Sequence, residues 1–560
     1  MKYELEQMIL AVVRDIYGVD TEVELTRPEP KFGDYATNVA LQLAKQVGKN
    51  PREIGEALAI HVRERSSHIA EVAVAGPGFL NITLTDEALL GVTKPDQAKP
   101  LTGKKVLVEY SDPNPFKPLH AGHLYTTLVG DTIARLVERA GAETIRLNFG
   151  GDVGLHVGKT MWAIVRTLGG EYPEKLREIE PHDRAVWLGN RYVEGNQAYD
   201  SDETAKRDIV DVNKRIYAVH EEKDYDSAFA KIYWECREWS YEYFRELYRR
   251  LEVAPFDRFI PESEVTPLGV QEVQLGLERG VYTESDGAVV YRGDETKGLH
   301  TRVFINSEGI PTYETKDVGL SLTKWNDYAF DESIIITDFS QAQYMQVVLA
   351  AISALAPKPA ARTVHLTHGR VKLAGGIKIS SRKGNGPSAL DILQGARDAA
   401  EASGVNATEE TILAAVKYAF TRVRVGGDIV YDPTESVALE GNSGPYLQYA
   451  HARARSILSK AEKQTEDGRR RTEELQSDER LLVRKLTEYP EVIAKATTEL
   501  MPHHICTYLY ELAQEFNRFY EKNRVIGDDR EPLRLHLVEI YAETLKSGLE
   551  HLGIHAPERM

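Results

Sequence analysis

The stretch from Lys104 to Asn148 constrains the fold more than any other part of this chain. Val106-Leu107-Val108-Glu109-Tyr110 is a short apolar run, the pattern of a strand buried in a parallel sheet. Pro113, Pro115 and Pro118 crowd the loop that follows, and His120-Ala121-Gly122-His123 opens a helix predicted over residues 121–139. Leu124, Leu128, Ile133, Leu136 and Val137 give that helix a core face, and Gly141 stops it. Glu143–Asn148 reads as the next strand. A β–loop–α–β unit of this length is what a right-handed crossover between parallel strands requires.

With 560 residues, the chain has room for three or four domains. Residues 1–90 read as a small α+β unit, with a helix from Glu4 to Tyr17 and a strand over Phe79–Leu84 after the Gly76-Pro77-Gly78 turn. Residues 91–103 read as a linker. Residues 165–300 are charged and largely helical, and interrupt the α/β pattern like an insertion. Strand-like runs return at Arg302–Ile305, Ile334–Thr337 and Val364–Leu366, and from about residue 395 the chain reads as helices. In one of these, Ile505, Leu509, Leu512, Phe516 and Phe519 share a face. Residues 464–480 are polar and read as a mobile connection.

No apolar run approaches the ~20 residues that span a bilayer. The N-terminus is acidic where a secretory signal is basic, so a cytoplasmic protein is expected. Cys236 and Cys506 are the only cysteines, which excludes a disulfide framework and any multi-cysteine zinc site. The net charge of −17 argues against indiscriminate nucleic-acid binding. Residues 351–390 nevertheless carry no acid, and include Lys358, Arg362, Arg370, Lys372, Lys378, Arg382 and Lys383. A basic stretch of this kind suits ATP phosphates or an RNA backbone; a charge fluctuation on a solvated face is the plainer alternative.

Two segments carry the chemistry. His120 and His123, three residues apart, can face the same side of a helix start, where free N–H groups and the helix dipole favour a phosphate. Gly122 leaves room for a flat base against the backbone. The imidazoles can donate to phosphoryl oxygens as charge grows in the transition state. The second segment, Lys378-Ile379-Ser380-Ser381-Arg382-Lys383-Gly384, is a glycine-flanked cationic loop suited to a leaving pyrophosphate. It is not a P-loop, and no dinucleotide fingerprint follows a strand. Read singly, the segments fit surface histidines and a basic surface loop. Together they suit attack on the α-phosphate of ATP.

These segments resemble the two signatures of class I aminoacyl-tRNA synthetases, and their surroundings resemble the arginyl enzymes. The similarity rests on Glu109-Tyr110-Ser111-Asp112-Pro113-Asn114, Lys117 through Leu124, Asn148 with Gly151-Asp152 and Gly154, Tyr313 with Asp317-Val318-Gly319, and Glu440 through Tyr449. Gly33 through Asn38 and Gly78-Phe79-Leu80-Asn81 extend it into the N-terminal unit.

The resemblance implies a Rossmann-like doubly wound catalytic domain over 100–395, with the 165–300 insertion. It also implies an N-terminal tRNA-elbow domain over 1–90 and an all-α anticodon-binding bundle over 396–560. The activity it implies is arginine–tRNA ligation, with ATP, Mg²⁺, L-arginine and tRNA-Arg as reactants and partners, no structural zinc and no membrane. A monomer is expected. His120, His123 and Lys378 are expected to be catalytic, with Gly122, Lys117, Ser380, Ser381 and Lys383 around ATP. Glu109 and Asp317 would hold the guanidinium, Asn114 and Gln341 the amino-acid end, and Tyr313 would pack on the side chain. Phe79, Asn81, Tyr446, Tyr449 and Arg453 would meet tRNA.

The sequence departs from the family pattern at several points. Ile379 and Ser381 stand where methionine and a second lysine are usual, Phe149 and Val153 where histidine and tryptophan are frequent, and Tyr125 where arginine is common. Gln341-Ala342-Gln343-Tyr344 is only loosely similar to the family's Gln-Asp-Leu-His. Other class I synthetases, such as the cysteinyl or glutamyl enzymes, and a tRNA-binding paralogue without catalysis are the competing readings.

Overall fold

The computed structural model describes residues 1–91, 99–374, 387–461 and 474–560. Its centre is a five-stranded parallel sheet: β1 (Lys105–Glu109), β2 (Glu143–Gly150), β3 (Arg258–Pro261), β4 (Glu332–Asp338) and β5 (Thr363–His368). The spatial order is β5-β4-β1-β2-β3, with every neighbouring pair parallel. Strand order reverses on either side of β1, so the sheet is doubly wound. A crevice is expected outside the carboxyl ends of β1 and β4. Val106, Leu107 and Val108 are buried, as a strand covered on both faces requires.

Three helices set the site around that crevice: α1 (Ala121–Arg139), α2 (Glu262–Glu278) and α3 (Tyr313–Tyr328). Helix α1 follows β1 and packs its Leu124, Leu128, Ile133 and Val137 into the same core as Val106 and Ile334. Its boundaries are those predicted.

The stretch expected as one insertion over 165–300 is interrupted by β3, an edge strand of the central sheet. Before it, helices Leu155–Thr167, Arg184–Ser201, Glu203–Glu221 and Ala228–Arg250 enclose a separate core around Met161, Ile164, Ile216, Phe229 and Tyr233. After it come α2 and a three-stranded antiparallel sheet. The Arg302–Ile305 strand belongs to this small sheet, not to the parallel one. The expected boundary at 395–396 falls inside helix Ala389–Ala402, whose Ile392, Leu393 and Ala396 are buried in the core of α1.

The N-terminal unit is a three-stranded antiparallel sheet with helices Lys2–Tyr17, Val39–Val47 and Pro51–Glu64. Its Leu5, Ile54 and Ile82 join one apolar core with Leu482, Leu509 and Leu545 of the C-terminal helices. Arg27 pairs with Glu491 at 2.6 Å, and Arg480 with Asp34 at 2.7 Å, across the same junction. Of the expected linker and mobile connection, residues 92–98 and 464–473 lie outside the described residues, while Ser477 already begins a helix.

Candidate active site

A cavity of about 580 Å³ opens at the carboxyl ends of β1 and β4. Among its lining residues are Glu109, Asn114, Lys117, His120, Gly122, His123, Tyr313, Asp317 and Gln341, so positions far apart in sequence converge on one space. Lys378, Ser380, Ser381 and Lys383 lie outside the described residues. His368 at the end of β5 lines the cavity. Beyond residue 386, Ala121 N–H donates to Pro387 O at 3.0 Å and Ala389 N–H to Leu119 O at 3.1 Å. Residues 387–389 are thus stitched directly to the first signature.

The two imidazoles cap α1 reciprocally. Gly122 N–H (3.1 Å) and His123 N–H (3.4 Å) donate to His120 Nδ1, and His120 N–H donates to His123 Nδ1 at 3.2 Å. The rings lie 3.8 Å apart between centroids. Burial, with Lys117 nearby, lowers the His120 pKa to about 4; burial also holds His123 well below its ordinary value. A neutral imidazole that accepts at Nδ1 carries its proton on Nε2. Each ring can therefore offer an Nε2–H donor to the cavity.

One expectation changes here. The backbone N–H groups that a bare helix start would offer a phosphate are already satisfied, at Ala121 by Pro387 and at Gly122 and His123 by His120. The imidazoles and Lys117 are the available donors instead. Gly122 is required by its neighbour, since a Cβ there would stand 2.9 Å from His120 Cε1.

The opposite end of the cavity is acidic. Glu109, at the end of β1, receives Lys324 Nζ on Oε2 at 2.7 Å. Asp317 projects from α3 and accepts a hydrogen bond from Tyr344 Oη. Burial pushes Asp317 up to about 7, with Glu109 adding to the rise and Tyr344 opposing it. Glu262, at the start of α2, is buried against Lys316 Nζ at 2.5 Å. Asp112 accepts Phe149 N–H on Oδ1 at 2.8 Å; burial, followed by Glu109, raises it well above the carboxylate range. Asn114 Oδ1 accepts Gly151 N–H at 2.8 Å. A Cβ on Gly151 would meet that oxygen at 2.8 Å and Glu262 Oε1 at 2.9 Å. Tyr313 is half exposed at the mouth, with its hydroxyl 3.5 Å from His156 Nδ1.

Several residues in and behind the cavity wall had no expected role. Asp112 lines the cavity from within the first motif. Lys324 follows Asp317 by seven residues, on the same face of α3. Glu262 was hidden because β3 went unread. The departures from the family pattern also find places. Tyr344 holds Asp317, and Phe149 lines the cavity and holds Asp112. Tyr125 is buried 4.6 Å from the His368 ring.

The expected tRNA contacts lie on two surfaces away from the cavity. Phe79 is exposed and Asn81 partly exposed on one face of the N-terminal sheet. On helix Gly444–Ala461, Tyr449 and Arg453 are exposed, with Arg453 4.7 Å over the Tyr520 ring. Tyr446 is partly buried and accepts a hydrogen bond from Asn517 Nδ2 at 3.0 Å.

Family profiles cover nearly the whole chain. The "Arginyl tRNA synthetase N terminal domain" matches residues 3–84, "tRNA synthetases class I (R), catalytic domain" matches 85–428, and the "DALR anticodon binding domain" matches 447–560. The arginine–tRNA ligase of Porphyromonas gingivalis is 29% identical, over 100% of this chain and 99% of its own. That of a Cyanothece species is 31% identical, with the same coverage. The solved arginyl-tRNA synthetase of Thermus thermophilus superposes with a TM-score of 0.80 at 27% identity, covering 100% of both chains.

Proposed function

The chain belongs to the arginyl-tRNA synthetase family, and from that premise we propose how its residues divide the work of an arginine–tRNA ligase. The enzyme activates L-arginine with ATP to arginyl-adenylate and transfers the arginyl group to the terminal ribose of tRNA-Arg, releasing AMP and pyrophosphate.

The observation that carries the assignment of roles is the polarity of the cavity. One end presents neutral imidazole donors and Lys117; the other presents buried carboxylates in excess of their internal cations. ATP suits the first end and a planar cation the second. In this reading the guanidinium lies between Asp317 and Oε1 of Glu109, the oxygen that Lys324 leaves to it, Tyr313 covers the side chain, and Asn114 and Gln341 hold the amino-acid end. An arginine carboxylate oxygen attacks the α-phosphorus in line, and the bond to the pyrophosphate oxygen breaks. His120 and His123 donate from Nε2 to the phosphoryl oxygens as they gain charge. Lys378, Ser380, Ser381 and Lys383 take the pyrophosphate side. Positioning and charge stabilisation drive this step. Magnesium enters with ATP as part of the substrate, held chiefly by its phosphates. The 2′-hydroxyl of the terminal tRNA ribose then attacks the adenylate carbonyl and AMP leaves.

The enzyme is read as a cytoplasmic monomer whose arginine activation waits for tRNA. ATP–pyrophosphate exchange tests the reading. Exchange that needs both arginine and tRNA supports it, and exchange driven by another amino acid overturns it. Glu109→Ala and Asp317→Ala should each raise the arginine KM steeply; normal arginine kinetics in both would remove the guanidinium assignment.

A further inference from the structure

The loop after β2 sends consecutive residues to different places. Gly151 lines the cavity; the next residue, Asp152, is fully buried, and its partners lie on α2 and on the helical insertion. Helix α2 begins at Glu262 directly after Pro261, which offers no side-chain cap. Asp152 supplies that cap from another segment. Its Oδ1 accepts Ser263 N–H at 2.9 Å, and its Oδ2 accepts Ser263 Oγ–H at 2.7 Å. A carboxylate at a first turn satisfies a free N–H group and meets the positive end of the helix dipole.

The insertion holds the same carboxylate. Arg237 Nε, on helix Ala228–Arg250, donates to Asp152 Oδ2 at 3.0 Å. Its guanidinium lies over the rings of Trp234 and Tyr241, at 5.3 Å and 5.0 Å. Tyr233 of that helix donates to Asp152 O at 2.9 Å, and its hydroxyl stands 2.8 Å from Nε2 of His220 on helix Glu203–Glu221. Two insertion helices are thus fastened to the residue that caps α2.

Helix α2 in turn carries the acidic end of the cavity. Glu262, the residue before Ser263, receives Lys316 Nζ, and Lys316 stands between Tyr313 and Asp317 on α3. The two helices meet backbone to backbone. A Cβ on Gly269 would stand 2.1 Å from Thr315 O, and one on Gly319 would stand 2.2 Å from Val265 O. Close-packed elements are barely compressible and pass strain on, so a shift of α2 reaches Tyr313 and Asp317.

We propose that Asp152 is a positioning residue through which the helical insertion sets the arginine end of the cavity, an inference that rests on the arginine reading above. Arg237 and Tyr233 fix the carboxylate, the carboxylate fixes the first turn of α2, and α2 carries α3 with it.

The test uses the full-length protein and tRNA-dependent ATP–pyrophosphate exchange. Arg237→Met removes the donor that comes from the insertion and touches nothing in the cavity. The arginine KM should rise about 10- to 100-fold, the loss of a hydrogen bond to a charged group. The ATP KM should stay within about twofold of the unsubstituted value. Asp152→Asn, which keeps an acceptor for Ser263 N–H, should do the same. Both act through one link, so the Asp152→Asn/Arg237→Met variant should raise the arginine KM no further than the larger single effect. Arg237→Lys, which keeps a donor and the charge, should recover most of the loss. Ser263→Ala leaves the ion pair in place and removes only one hydroxyl from the cap; it should raise the arginine KM about three- to tenfold. A carboxylate that merely stabilises the fold would lower the active fraction, and so kcat, with the arginine KM unchanged. That outcome in Arg237→Met and Ser263→Ala, or an equal rise of the arginine and ATP KM values, overturns the proposal. If the unsubstituted protein shows no arginine-dependent exchange, the arginine reading itself fails, and the proposal with it.

Discussion

Lys324 Nζ meets Glu109 Oε2 at 2.7 Å, and the two side chains are only 1% and 4% exposed. The pair ties α3 to the end of β1 and decides what charge the cavity offers a cation. Removing one member of a buried pair strands the other, at a cost of about 3–5 kcal/mol. Lys324→Met should therefore lower the unfolding free energy by about that amount in urea titration. The double variant Lys324→Met/Glu109→Gln should recover most of the stability. It should not recover the arginine KM, because the Glu109 charge is gone. A double variant with normal arginine kinetics would show that the pair is purely structural.

Burial raises the pKa of Asp317 to about 7, and in the proposed reading only the ionised form holds the guanidinium. The kcat/KM for arginine should fall as pH drops below 7, by up to about tenfold per unit. Asp317→Asn should flatten the profile at a low level. Tyr344→Phe removes a donor to the carboxylate and should move the profile to higher pH. The sign for stability is opposite to that for activity. A carboxyl whose folded pKa lies above its unfolded value stabilises the fold at low pH and loses that contribution as pH rises through 7. Relative to the unsubstituted protein, Asp317→Asn should therefore gain stability between pH 5 and pH 8, measured by thermal unfolding.

The parts of the fold with strong local signals were legible. The apolar run before Glu109, the amphipathic helix after His120 and the runs at Ile334 and Val364 all became elements of the doubly wound sheet. Strand β3 was not legible. Asp257-Arg258-Phe259-Ile260-Pro261 has no alternation and follows a long charged helix; its pairing with Leu147–Gly150 is a tertiary event. Missing it concealed Glu262, which enters the cavity immediately after that strand. The residues that contact substrate in the proposed reading were legible through motif chemistry, whereas those that support them were not. Lys324 and Tyr344 act through buried partners, and no local pattern shows which buried lysine faces which acid. The contact of Gly122 with the His120 ring was hidden for the same reason: which atom fills the space of a missing Cβ is decided by the His120 rotamer.

In the proposed reading His120 combines a structural and a chemical role on different nitrogens. Its Nδ1 caps α1, and its Nε2 would meet the phosphate. Asparagine is a good N-cap but cannot reach as far, so His120→Asn should keep the helix while losing the donor. The exchange rate should fall about 10²- to 10³-fold, the effect of losing one preorganised donor to a developing negative charge. The melting temperature should stay close to that of the unsubstituted protein. His120→Ala should lose the same activity and a further ~1 kcal/mol of stability with the cap. Gly122→Ala should resemble His120→Asn in activity, since its methyl would displace the ring. Full activity in Gly122→Ala would show that the ring position seen here does not matter to the reaction.

The two surfaces proposed for tRNA make a separable prediction, because neither touches the cavity. Phe79 stands on the open face of the N-terminal sheet, and Tyr449 on the exposed face of helix Gly444–Ala461. Stacking of a base on an aromatic ring is worth about 1–3 kcal/mol. Phe79→Ala and Tyr449→Ala should each raise the tRNA KM about 5- to 150-fold and leave the arginine and ATP KM values unchanged. The N-terminal and C-terminal units share one apolar core and the Arg27–Glu491 and Arg480–Asp34 pairs, so they should present both surfaces as a rigid frame. In a rigid frame, distant losses add. The Phe79→Ala/Tyr449→Ala variant should then show the sum of the single effects within about 0.5 kcal/mol. Glu491→Ala, which touches neither surface, should raise the tRNA KM by loosening the frame and should break that additivity. Unchanged tRNA kinetics in both single variants would move the RNA-binding face elsewhere on the molecule.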